Sequence, residues 1–178
     1  IICGKKPYKV NKLVKELKKK NEDVYGIAQD MTVKDGPNLV FKKIKEHVNK
    51  VDILINNSII KRGSESLLSK NEADWLEEVS LNVNANILLS KKIAQRMKTY
   101  RVKGRIINIS NSASNSNDND TYSSSEIITT SMIEKFSQIL AKELFEYNIG
   151  STIVRIDNDI EYNADQVSEI FESISGTS

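Results

Sequence analysis

With 178 residues, 39% hydrophobic and 28% charged, the chain has the composition of one globular domain with a real core, not of a disordered segment. Its 26 Lys and Arg against 24 Asp and Glu leave a net charge of +2, which calls for no nucleic-acid or membrane partner. The single cysteine, Cys3, excludes an internal disulfide and a Cys-based metal cluster, no metal site is expected, and no apolar run approaches a membrane span.

In chain order, strand and helix patterns alternate. Ile1–Cys3 reads as the end of a buried strand, with Cys3 in the core. Pro7 suits a first helical turn, after which Val10, Leu13, Val14 and Leu17 recur on one face and lysines on the other. Val24–Ala28 predicts a short strand. Pro37 opens a second helix with Val40, Ile44 and Val48 on its apolar face and His47 on its polar one. Val51–Ile55 is a compact apolar strand ending in Asn56-Asn57. A helix starts near Asn71, carries Trp75 as a packing residue, breaks, and runs on from Asn82 to about Tyr100. Arg105–Ile109 is another strand. Asn108 to Ser125, almost all Asn, Ser, Asp and Thr, predicts a long mobile loop. Glu126 to Tyr147 is a long helix with Ile133, Phe136, Ile139 or Leu140, and Leu144 in its stripe. Thr152–Ile156 is a strand. Asn163 caps a last helix, with Gln166 placed as in a capping box.

Continuous apolar strands alternating with helices mean a parallel sheet covered on both faces, a doubly wound, Rossmann-like α/β fold in a single domain over residues 1–178. Ligands of such folds bind beyond the C-terminal strand ends. Those ends carry Gly4-Lys5-Lys6, Asp30, Asn56-Asn57-Ser58, Ser110-Asn111-Ser112 and Asp157.

The residues at these ends resemble a known family. Asp52-Ile-Leu-Ile-Asn56-Asn57-Ser58-Ile59 is similar to the D-x-L-x-N-N-A-G segment of short-chain dehydrogenases/reductases. Asp30-Met31-Thr32 resembles that family's Asp-Val-Thr, Leu81-Asn82-Val83 its helix with the active-site Asn, Gly104 to Ser110 its G-R-I-V-N-I-S, and Leu140-Ala-Lys-Glu-Leu144 its L-A-x-E-L. The similarity runs in order from residue 1 to about residue 157 and is nearest to the 3-oxoacyl-(acyl carrier protein) reductases. It implies a dinucleotide site at Lys5, Lys6, Asp30, Met31, Asn56, Asn57 and Ser58, in which Lys5-Lys6 would suit the 2′-phosphate of NADP(H).

The resemblance also implies a Ser–Tyr–Lys–Asn catalytic set, and here the chain departs. Asn82 and Ser110 match; the second Ser is Asn111. Tyr-x-x-x-Lys has two registers. From the tyrosine it is Tyr122 to Glu126, where an anion would raise the phenol pKa. Counted back without gaps from Leu140-Ala141, the Tyr position is Glu126 and the Lys position Thr130, and this register is preferred because insertions inside a packed helix are hard. Either way the lysine is missing. Lys135 lies roughly 7.5 Å and 13.5 Å along the axis from Thr130 and Glu126, too far to replace it. The motif's glycine is Ile59, the family's Pro-Gly reads Ile156-Asp157, and no glycine-rich loop is found.

Ile1–Cys3 matches the family's second strand, so the first, central strand has no counterpart. About 25–35 further residues, one βα unit, or another chain are expected to fill that slot. The function this favours is a non-catalytic structural or regulatory subunit, without cofactor, pairing through helices 82–100 and 126–147 with a copy, a paralogue or a larger assembly. The alternatives are an NADPH-dependent reductase of 3-oxoacyl thioesters or other keto substrates, and an NADP(H) sensor without turnover. The lone cysteine and the lack of a recognisable cleavable signal point to a reducing intracellular compartment, cytoplasm or organelle matrix.

Overall fold

The computed structural model describes residues 1–20, 23–57, 66–111 and 123–156, with only the backbone of Asn111. The elements are β1 (Ile2–Gly4), α1 (Pro7–Leu17), β2 (Gly26–Ala28), α2 (Gly36–His47), β3 (Ile53–Asn56), α3 (Glu72–Glu78), a π-helical segment Val79–Ala85, α4 (Asn86–Thr99), β4 (Arg105–Asn111), α5 (Ser124–Leu144), a 3-10 turn Phe145–Tyr147 and β5 (Gly150–Ile156). All pairings are parallel, as the apolar strands and helical crossovers require. The last helix expected from Asn163 lies outside the described residues.

Local chemistry sets the helix starts. Pro7 and Pro37 occupy first-turn positions of α1 and α2. The Asn71 side chain accepts the Ala73 amide and caps α3, and the Ser123 hydroxyl accepts the Glu126 amide and caps α5. The loop expected over Asn108 to Ser125 is shorter than predicted, because Asn108 to Asn111 extend β4 along β5 and Ser123 begins the α5 cap. The expected helix break near Asn82 is the π-helical segment; there the Asn86 side-chain amide donates to the Asn82 carbonyl at 2.8 Å.

The strands form two sheets, β1-β2 and β3-β4-β5. One core nevertheless joins them. Ile27 of β2, Val40 and Ile44 of α2, Leu89, Ile93 and Met97 of α4, Ile106 of β4 and Leu140 and Leu144 of α5 make a single buried cluster. Thus α2, α4 and α5 cover one face of both sheets. The α1 helix covers the opposite face of the small sheet: a Cβ on Gly26 would stand 2.8 Å from both Val10 and Val14, leaving room there only for glycine.

Three expectations are corrected by this arrangement. β3 is not buried on both faces: Leu54 and Asn56 turn to the helical layer, while Ile53 and Ile55 remain 49% and 45% exposed. Cys3 is exposed rather than in the core. Both follow from β1 and β3 having one strand neighbour each, so that each keeps an unpaired edge. In α1 the apolar stripe is narrower than its spacing suggests, with Val10 buried but Leu13 exposed, because a two-stranded sheet offers a narrow surface to cover.

Candidate functional site

The C-terminal strand ends hold two groups of expected site residues. In the first, Ser110 of β4, Asn82 of the π-helical segment and Thr130 of α5 meet around a cavity of about 20 Å³, also lined by Asn86, Thr129 and Ile133. All of these residues are buried. The cavity has room for one water molecule rather than a substrate, and the buried Asn86 Oδ1 beside it has no hydrogen-bond partner among the described residues. Glu126, one turn before Thr130, is also buried. Asn111 closes β4 opposite Ile156. Tyr122 and Ser58 lie outside the described residues. Lys135 is exposed on α5 and does not reach the cavity.

The second group stands at the ends of β1 and β2. Lys6 precedes α1 and is exposed. Lys5 Nζ lies 2.8 Å from Asp30 Oδ2. Asp30 Oδ1 accepts the Thr32 amide at 2.9 Å and the Thr32 hydroxyl at 2.7 Å. Partial burial alone would raise the Asp30 carboxyl pKa; the hydrogen bonds from Lys5 and Thr32 outweigh it and bring the value down to about 2. Met31 packs against the core instead of facing the cleft.

Asn56 is used differently from the expectation. Its amide donates to Ser90 Oγ and to Asn108 Oδ1, both at 2.8 Å, and Asn108 Nδ2 donates to Ser137 Oγ at 2.7 Å. Both amide hydrogens are committed inside the fold, where they tie β3 to α4, β4 and α5. The side chain lies on the same strand face as Leu54, which points to the helical layer; Asn57, next along, is exposed. Two features escaped the sequence reading. Glu77 of α3 comes within 3.8 Å of Lys5. Lys70 and Glu78 form an ion pair at 2.8 Å with side chains only 1% and 2% exposed. No short motif marks either pair, because the partners meet through the fold.

A larger opening, of about 760 Å³, lies at the opposite end of the strands among Asp52, Lys103, Arg105, Phe145 and Gly150. In parallel α/β folds chemistry sits at the other end, and none of the expected site residues lines this opening. Among the described residues, no group of three or more His, Cys, Asp or Glu could hold a metal, and no helix is long and apolar enough to cross a membrane.

Parallel strands, a helical layer over Asn56 and Asn108, and Asn82 with Ser110 at one cavity define a Rossmann-like oxidoreductase fold. A family model, short chain dehydrogenase, matches residues 1–158, and the chain belongs to that family. It is 27% identical over 150 residues to the 3-oxoacyl-[acyl-carrier-protein] reductase FabG of Aquifex aeolicus, covering 84% of this chain and 59% of that protein. It is 30% identical over 86 residues to the farnesol dehydrogenase of Aedes aegypti, covering 48% of this chain and 35% of that one. The chain thus spans less than two thirds of either relative. Among solved structures, a metagenomic short-chain oxidoreductase in complex with NADP matches with a TM-score of 0.83 at 17% identity, over 99% of this chain and 77% of that one. The Pseudomonas aeruginosa RhlG/NADP complex matches with a TM-score of 0.78 at 21% identity, over 86% and 60%. At these identities the structural matches establish the fold.

Proposed function

We propose that the chain is a non-catalytic member of the family, a structural or regulatory subunit that pairs through α4 and α5. One observation carries this reading: where Asn82 and Ser110 converge, α5 presents Thr130. Reduction of a carbonyl by a nicotinamide needs a proton donor whose pKa is tuned near the working pH, and the family uses a tyrosine made acidic by a lysine for this. A threonine hydroxyl cannot hold the positive charge that tunes such a donor, and the residue one turn earlier is the acid Glu126. The cavity lining contains no cation. Exposed apolar side chains on the two helices, Leu88 at 43%, Met132 at 43% and Ile139 at 48%, support a partner there.

A second reading, an NADPH-dependent reductase of 3-oxoacyl thioesters, is favoured by Asn82 and Ser110 being buried together and by the name of the Aquifex relative. The two readings separate in one experiment on the full-length protein. With NADPH and a 3-oxoacyl thioester, wild type should show no turnover, and ultracentrifugation should show a dimer or larger species at micromolar concentration. Turnover by wild type would overturn the proposal, as would a monomer that captures no partner. The double variant Glu126→Tyr with Thr130→Lys asks whether the dyad alone was lost. Activity in it would mean that the nucleotide cleft has survived.

A further inference from the structure

Lys5 stands where the sequence resemblance puts a partner for the 2′-phosphate of NADP, yet its charge is already engaged. Its Nζ lies between two carboxylates, 2.8 Å from Asp30 Oδ2 and 3.8 Å from Glu77 Oε1. Asp30 follows β2, in the small sheet that Lys5 itself follows. Glu77 belongs to α3, which follows β3 of the other sheet. One cation therefore links the C-terminal ends of the two sheets.

The two carboxylates are not held alike. Thr32 fixes Asp30 through two hydrogen bonds to Oδ1, so Asp30 cannot turn away. Glu77 makes the longer contact, and its side chain is 33% exposed. A phosphate on the adenosine 2′ position brings nearly two negative charges beside this pair of acids. A ribose with a free 2′-hydroxyl brings none, and can donate a hydrogen bond to a carboxylate.

From this geometry we infer that Glu77 is a charge filter at the adenosine end of the cleft, discriminating against a 2′-phosphate and favouring the unphosphorylated dinucleotide. The inference rests on the dinucleotide cleft of the family and is independent of whether the chain turns over. It reverses the NADP(H) preference read from Lys5-Lys6 alone.

The test is calorimetric titration of the full-length protein with NADPH and with NADH. Wild type should bind NADH at least as tightly as NADPH. Glu77→Gln should tighten NADPH about two- to fivefold, the scale of one partly exposed ion pair, and leave NADH within about 1.5-fold. Adding Lys5→Ala to that variant should remove the gain. Tenfold tighter NADPH binding by wild type would overturn the inference. So would an equal shift for both nucleotides, or a gain that survives Lys5→Ala and so belongs to Lys6. Absence of binding of either nucleotide to every variant would also overturn it, while leaving the non-catalytic subunit reading standing. That reading fails separately, on turnover.

Discussion

Asp30 shows how much one residue's position can be read from its neighbours. Its place after an apolar strand and two residues before Thr32 was legible, because Asp-x-Thr closes a local hydrogen-bonded turn. Its ion pair was not, since Lys5 is far away in sequence and arrives only when β1 pairs with β2. That pairing has a pH consequence. The folded-state pKa of about 2 lies below the ordinary Asp value of about 3.9, so the stabilisation is complete above the ordinary value and is lost as pH falls through about 2. Asp30→Asn should therefore lower Tm at neutral pH, and the gap to wild type should close between about pH 4 and pH 2. A gap that stays constant on acidification would show that the carboxylate charge does not matter there. Asn56 teaches the converse: its motif was recognisable, but only the contacts with Ser90 and Asn108 show that the side chain braces the interior.

Among the elements, those with strong helical spacing and a proline or Asn start were placed from the sequence to within a few residues. What spacing alone could not tell is how much of each apolar stripe meets a neighbour. Ile93 of α4 is 0% exposed within the core that unites the two sheets, whereas Leu13 of α1 remains 42% exposed. Ile93→Ala should cost about 2–5 kcal/mol in urea unfolding, from lost burial and a residual cavity. Leu13→Ala should stay within about 0.5 kcal/mol, as ordinary surface changes do. Equal effects would mean that α1 is covered in solution by something that packs on Leu13. In α5, likewise, the stripe's open choice between Ile139 and Leu140 is settled by packing: Leu140 is 7% exposed and Ile139 48%. Register along the same helix, counted back from Leu140, puts Thr130 at the cavity with Asn82 and Ser110.

For the whole molecule, the decisive fact is the split into two parallel sheets under a shared helical layer. Backbone donors and acceptors on the open edges of β1 and β3 are the kind that a further parallel strand satisfies. We propose that such a strand, from elsewhere in the protein or from a partner, fills the slot. Cys3, exposed on β1, reports on it. A thiol reagent should label the 178-residue chain readily, and labelling should slow at least severalfold once the strand is present. Undiminished labelling would remove that proposal. The sequence by itself determined the α/β class, the parallel pairing and the family, because apolar periodicity, caps and short motifs are local and survive without knowledge of contacts. Tertiary structure alone decided that β3 keeps an open face, that Asn56 turns inward, and that Glu77 reaches Lys5. Each of these depends on which distant segments the folded chain brings together, and no spacing along the sequence encodes that distance.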